Sequence, residues 1–181
     1  MRAISPDDEP MEEGEVTSMQ MNVMLTDGAP LPAHAKPGDA GLDLTSRRTE
    51  TILPGETVMI HTGLYAEIPD GFCGLVLPRS GVASKLGLAP INSPGLIDSG
   101  YRGEILVPLH NYNQAAKIVE EDFDGTMVWS VEANFEAARE VKEGERIAQL
   151  VIVPHETVEC LQVNKLDDTD RGNTGFGSSG R

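Results

Sequence analysis

Turn chemistry at close intervals is what most constrains this chain. Pro54-Gly55, Pro69-Asp70-Gly71, Pro94-Gly95 and Glu143-Gly144 cut it into short segments, and Pro and Gly at that spacing leave little room for long helices. The segments between them have strand character. Met19, Met21, Val23 and Leu25 alternate with Gln20 and Asn22, the period of a half-buried strand. Further apolar runs at 57–68, 72–77, 105–112, 147–153 and 158–163 read the same way. Short strands punctuated like this predict an all-β fold, a sandwich or barrel. The 19 Gly and 12 Pro among 181 residues also argue against a helical bundle, and only 4% of residues are aromatic. The core is therefore expected to be Val, Ile, Leu and Met.

Three regions depart from that pattern. Residues 1–17 carry Asp7, Asp8, Glu9, Glu12, Glu13 and Glu15, too charged to cover the entropy of ordering, and are expected to be a disordered tail. The barrel domain is then assigned to 18–166. Within it, 113–140 is acidic and Ala-rich, and Val131, Phe135, Ala138 and Val141 fall at helical spacing, which predicts a short amphipathic helix. Residues 167–181 are Gly- and Ser-rich, the composition of a flexible end.

Charge narrows the function classes. Fourteen Lys and Arg stand against 29 Asp and Glu, a formal charge of -15, so nucleic-acid coating by counterion release is excluded as a general role. A small anionic substrate held by local cations and a metal is not. The start of the chain has no apolar stretch of secretory type, and no run is long enough to span a bilayer; a cytoplasmic protein is expected. Cys73 and Cys160 show no disulfide or metal spacing, and His34, His61, His110 and His155 are scattered. No Lys follows a Gly, so a Walker-type phosphate loop is absent.

Chemistry concentrates in three places. Pro78-Arg79-Ser80-Gly81 ends a strand with a guanidinium, a hydroxyl and a Gly backbone, groups that suit phosphate oxygens; a surface turn with an ion pair is the plainer alternative. The 92–104 segment, Asn92-Ser93-Pro94-Gly95-Leu96-Ile97-Asp98-Ser99-Gly100-Tyr101-Arg102-Gly103-Glu104, has two turn signals and reads as a hairpin. Asp98 in it is a candidate general base and Tyr101 a candidate sugar-stacking ring, against turn-capping and core roles. Arg171-Gly172-Asn173-Thr174-Gly175-Phe176-Gly177-Ser178 places one aromatic among glycines, a phosphate- and base-covering pattern or simply a linker.

These motifs, with Asp39-Ala40-Gly41-Leu42-Asp43-Leu44 and Gly144-Glu145-Arg146-Ile147-Ala148-Gln149-Leu150, stand in an order that resembles the trimeric dUTPase family, in its bacterial form. The resemblance implies a jelly-roll-like β-barrel, a homotrimer with active sites shared between subunits, and Mg²⁺-assisted hydrolysis of dUTP to dUMP and pyrophosphate. It implies that Asp98 orients the attacking water and that Asn92 reads uracil. Tyr101 then packs on deoxyribose, and Arg79, Ser80, Gly81 and Gln149 hold phosphates. Asp43 supports the metal through water. Phe176, Arg171, Gly177 and Ser178 close over the substrate as a lid from a neighbouring copy. Leu42 stands where the family usually has an aromatic, Thr174 where Gly is frequent, and 113–140 reads as an insertion. A dCTP deaminase shares the look of 94–101, but the position of its catalytic Glu holds Pro108, which moves no proton.

Overall fold

The computed structural model describes residues 19–26, 28–124, 126–170 and 172–173. Among them the expected all-β architecture is borne out. The strands are β1 (Asn22–Leu25), β2 (Leu42–Thr45), β3 (Glu50–Ile52), β4 (Thr57–Ile60), β5 (Leu64–Glu67), β6 (Phe72–Pro78), β7 (Leu88–Pro90), β8 (Gly95–Ile97), β9 (Val107–Asn111), β10 (Ala116–Phe123), β11 (Thr126–Ala133), β12 (Arg139–Val141) and β13 (Arg146–Pro154). One short helix, α1 (Ser80–Leu86), follows β6. Every pairing is antiparallel: a sheet β2-β13-β6-β8, a sheet β4-β9-β7, and the pairs β1-β5, β3-β12 and β10-β11.

Alternation drives the burial. Along β9, Val107, Leu109 and Asn111 point inward while Pro108 and His110 are half-exposed, the period of two that strand geometry imposes. The core gathers Leu44, Ile52, Ile60, Leu88, Ile105, Val107, Leu109, Val141, Ile147 and Leu150; it is Val, Ile and Leu as expected, but the expected Met is not among the buried residues described, Met21 only packing against them. Asn111 is fully buried among them. Its amide donates 2.9 Å bonds to the Ile52 and Ala137 carbonyls, and its oxygen accepts the Asn113 backbone and side-chain N–H groups. A buried amide with every bond made stitches β3 and β9 together at little desolvation cost.

Four expectations are corrected. The run 57–68 is two strands, broken at His61-Thr62-Gly63, where Gly63 has φ +70° and a Cβ would strike Thr26 and Ala29. The 92–104 segment is not a self-paired hairpin: β8 pairs with β6, and Glu104 bridges to Tyr65. Residues 158–163 form no strand, and Val158, Leu161 and Val163 are exposed; their composition suits a ladder, but the described chain offers them no neighbouring strand. Finally, 113–140 is a β-hairpin of β10 and β11 in place of the helix, with only a 3-10 turn at Phe135–Ala137. The reason is local. Ile118, Val119, Thr126, Val128, Trp129 and Val131 favour strands, the sequence Asp124-Gly125 is a two-residue hairpin signal, and Asp124 has φ +50°. Residues 1–17 lie outside the described residues, as do Arg171 and 174–181.

Candidate active site

β6 delivers its last residue, Pro78, to the edge of an open cavity of about 770 Å³. Arg79 is the N-cap of α1, in extended conformation, and no side chain caps the helix. Its first amides therefore have no intrahelical acceptor and remain available to an anion. Arg79, Ser80 and Gly81 line this cavity with Asp43, Arg146, Lys85 and Gln149. Asp43 sits between two cations: Oδ1 is 3.1 Å from Arg79 Nε, and Oδ2 is 3.1 Å from Arg146 Nη1. With only 14% of its side chain exposed, Asp43 fixes both guanidinium groups at the cavity wall.

Strand pairing places Gln149 directly between Asp43 and Leu77. Its Nε2 donates to the Pro78 carbonyl at 3.0 Å, and Gly41 makes room for it: a Cβ there would lie 2.7 Å from Gln149 Oε1. The Gly of Asp39-Ala40-Gly41 is thus required by close approach and not by backbone conformation.

A second cavity, about 280 Å³, is lined by Asn92, Leu96, Ile97, Asp98, Tyr101, Glu104, Met59 and Pro108. The Asp98 carbonyl accepts the Tyr101 N–H at 3.0 Å. The Asp98 carboxylate is exposed and has no partner among the described residues, so it is available to a water. The Tyr101 hydroxyl donates to the Glu104 carbonyl at 3.0 Å, and its ring lies where a Gly103 Cβ would be. Gly95 likewise admits Asn92, whose side-chain amide is 3.1 Å from its would-be Cβ.

Glu104 was not singled out by sequence reasoning. Its Oε1 accepts the Gly63 N–H at 2.8 Å, and His61 Nδ1 lies 2.9 Å from Oε2. Burial pushes this carboxyl up, but the Gly63 N–H, the His61 ring and the Thr62 amide outweigh it and hold it below the usual Glu value. No motif joins residues some 40 positions apart, so no sequence signal marks the cluster.

The structure brings Asp43, Arg79, Ser80, Gly81 and Gln149 together, and separately Asn92, Asp98 and Tyr101, but it does not unite the two groups. Ile97, next to Asp98, pairs with Gly74 on β6. Arg79 lies five residues further along, roughly 17 Å away at strand rise. Arg171, Phe176, Gly177 and Ser178 lie outside the described residues.

Metal chemistry is constrained by the donors. Among the described residues no group of three or more His, Cys, Asp or Glu is placed to hold an ion. Asp43 and Asp39 at the larger cavity suit Mg²⁺, an ion that keeps its waters and is carried largely by phosphates.

Antiparallel sheets, an uncapped strand–helix turn beside two arginines and a separate polar pocket define an all-β protein whose larger cavity suits an anion. The dUTPase family model matches residues 27–122 and 114–180, two pieces that overlap at β10. The deoxyuridine 5'-triphosphate nucleotidohydrolase of Mycobacterium tuberculosis is 42% identical over 163 residues, covering 87% of this chain and 92% of the relative. That of Nocardia farcinica is 41% identical over 156 residues, covering 86% and 82%. Among solved structures, Staphylococcus bacteriophage 80alpha dUTPase with dUpNHpp superposes with a TM-score of 0.75 at 34% identity, covering 91% of this chain and all of that one. The dUTPase of phage phi11 of S. aureus, described for its species-specific insert, gives 0.68 at 33%, covering 83% of this chain and 100% of that one. The chain belongs to the dUTPase family, the dUTP diphosphatases, and has their all-β jelly-roll fold.

Proposed function

We propose that this chain hydrolyses dUTP to dUMP and pyrophosphate as a homotrimer whose active sites are shared between copies. Family membership supports the reaction. The observation that carries the shared site is the register: Asp98 follows Ile97, which pairs with Gly74, five residues and roughly 17 Å of strand from Arg79, and the two residues line separate cavities, too far to serve one α-phosphate. A second copy that brings its Asp98 pocket to the Arg79 cavity completes the constellation. The exposed apolar run Val158, Leu161, Val163 and Leu166 supports self-association, since a segment of this kind gains by burial against another copy.

In that site Asp98 orients a water and takes its proton as the water attacks the α-phosphorus, and pyrophosphate leaves. Asn92 and its turn read uracil, and Tyr101 packs on the deoxyribose. Arg79, Ser80, Gly81 and Gln149 hold the phosphates, and Asp43 keeps Arg79 in place. Mg²⁺, when bound with the substrate, supplies charge neutralisation, with Asp43 as its water-mediated support. The tail residues Arg171, Phe176, Gly177 and Ser178 act as a lid that excludes bulk water. The reaction belongs to the cytoplasmic nucleotide pool, where it keeps uracil out of DNA and supplies dUMP for thymidylate synthesis. No described helix is long and apolar enough to cross a membrane.

The test is a pyrophosphate-release assay with dUTP, dCTP, dTTP and UTP, each with Mg²⁺ and with EDTA. Release from dUTP that needs Mg²⁺ is expected, and Asp98→Asn lowers kcat by about 10³-fold while keeping the pocket's shape. Ammonia from dCTP would instead make the chain a deaminase. The structure argues against that outcome, because the one Glu at this pocket, Glu104, already accepts from Gly63 and contacts His61.

A further inference from the structure

Tyr101 is useful as a sugar gauge only if its ring cannot move. The segment that carries it, 98–103, has no regular structure and is half-exposed to exposed, so its rigidity must come from anchors. Inside the segment, the Tyr101 N–H closes a turn on Asp98 and the ring packs over Gly103. Those contacts fix its shape and leave open where it stands relative to the barrel.

Two side chains tie it to the barrel: Arg102, whose guanidinium meets Glu67 of β5 at 3.2 Å in an exposed pair, a kind worth little, and Glu104, which is the shielded one. One carboxylate oxygen takes the Gly63 N–H at 2.8 Å, and the other lies 2.9 Å from the His61 ring. The Glu104 backbone bridges to Tyr65, and the Glu104 carbonyl receives the Tyr101 hydroxyl at 3.0 Å. The next residue is held as firmly: the Ile105 N–H donates to Leu64, and its carbonyl accepts the Thr62 hydroxyl at 2.7 Å. The receiving turn is itself rigid, since Gly63 is packed against Thr26 and Ala29 and the Thr62 hydroxyl accepts the Leu64 N–H. Glu104 thus links the tip of the Tyr101 side chain to the fixed 61–65 turn. Two charge-assisted bonds on a carboxylate of which only 17% is exposed make a stiff link.

We propose that Glu104 is the positioning residue that sets Tyr101 against the sugar, and that the Glu104 link to Gly63 and His61 determines how sharply the pocket distinguishes deoxyribose from ribose. The proposal rests on the role given to Tyr101 above. Loosening the link lets the ring yield to a 2′-hydroxyl and also weakens its packing on the correct sugar.

Steady-state kinetics on dUTP and UTP test it, with the wild type, Glu104→Ala, Glu104→Gln and His61→Ala. Glu104→Ala is expected to lower the dUTP-to-UTP ratio of kcat/KM by about tenfold, chiefly through a higher KM for dUTP. Glu104→Gln keeps an acceptor for Gly63 and restores the ratio to within about threefold of wild type; His61→Ala, which removes one bond of two, falls between. An unchanged ratio in a folded Glu104→Ala protein overturns the proposal, as does a fall in kcat with KM and ratio unaltered. Amide hydrogen exchange over 98–105 gives the substrate-free arm: faster exchange in Glu104→Ala and His61→Ala than in Glu104→Gln is expected, and equal exchange in all overturns the anchor. A wild type that treats dUTP and UTP alike, with exchange still faster in Glu104→Ala, refutes the role of Tyr101 and leaves the anchor standing. Should Glu104→Ala not fold, His61→Ala against Glu104→Gln decides.

Discussion

Gln149 shows how much a single atom governs at the larger cavity. Its amide is held over the Pro78 carbonyl, and only a hydrogen on Gly41 lets it lie there. A methyl at 41 must displace either Gln149 or the backbone of the 39–41 turn. Gly41→Ala is therefore expected to weaken binding of a non-hydrolysable dUTP analogue about tenfold, measured by calorimetry, with little loss of thermal stability because residue 41 is outside the core. Unchanged affinity would remove Gln149 from the phosphate contacts. The residues at this cavity were legible in the sequence because Asp39-Ala40-Gly41-Leu42-Asp43 and Arg79-Ser80-Gly81 are contiguous. Asp43 as the partner of both Arg79 and Arg146 was not, since the pairing arises from β2 lying beside β13.

Elements were read well where alternation and punctuation agreed and poorly where a second period intruded. β6, β9 and β13 fall within a few residues of the runs 72–77, 105–112 and 147–153. At 113–140 the helical spacing of Val131, Phe135, Ala138 and Val141 competes, and the structure puts Val131 in β11, Phe135 in a 3-10 turn, Ala138 just after that turn and Val141 in β12. The Asp124-Gly125 turn was the stronger signal, because a two-residue turn commits both flanks to pairing while spaced apolar residues commit nothing. The hairpin's base is closed by the Asn134 N–H on the Ala115 carbonyl at 2.9 Å and by the Asn134 side chain on Gln114, and neither cavity of the site includes a residue of β10 or β11. Replacing 116–133 by a short Gly-Ser link is expected to leave kcat/KM for dUTP within about threefold. A well-folded deletion with activity lost by a hundredfold would place the hairpin in the site. Trp129, the only Trp of the chain and 65% exposed, gives a fluorescence marker of hairpin integrity in the intact protein.

At the scale of the whole molecule, the separation of the two cavities along β6 is the feature that residue spacing could not reveal. Sharing between copies was implied by the family resemblance alone; the residues and their spacing are silent on whether one chain brings them together. If Asp98 and Arg79 come from different copies, two inactive variants should complement. Asp98→Asn and Arg79→Ala chains, refolded together in equal amounts, are expected to regain about a quarter of wild-type turnover, the fraction of sites that draw both intact residues by chance. No regain in mixed trimers would return both residues to one chain. The same roughly 17 Å has a genetic meaning. In the proposed trimer a copy damaged at both Asp98 and Arg79 would occupy one place and silence two sites, so such an allele would suppress its healthy partner. Damage at one residue would cost a single site there, and two alleles with different lesions would rescue one another within the same cell.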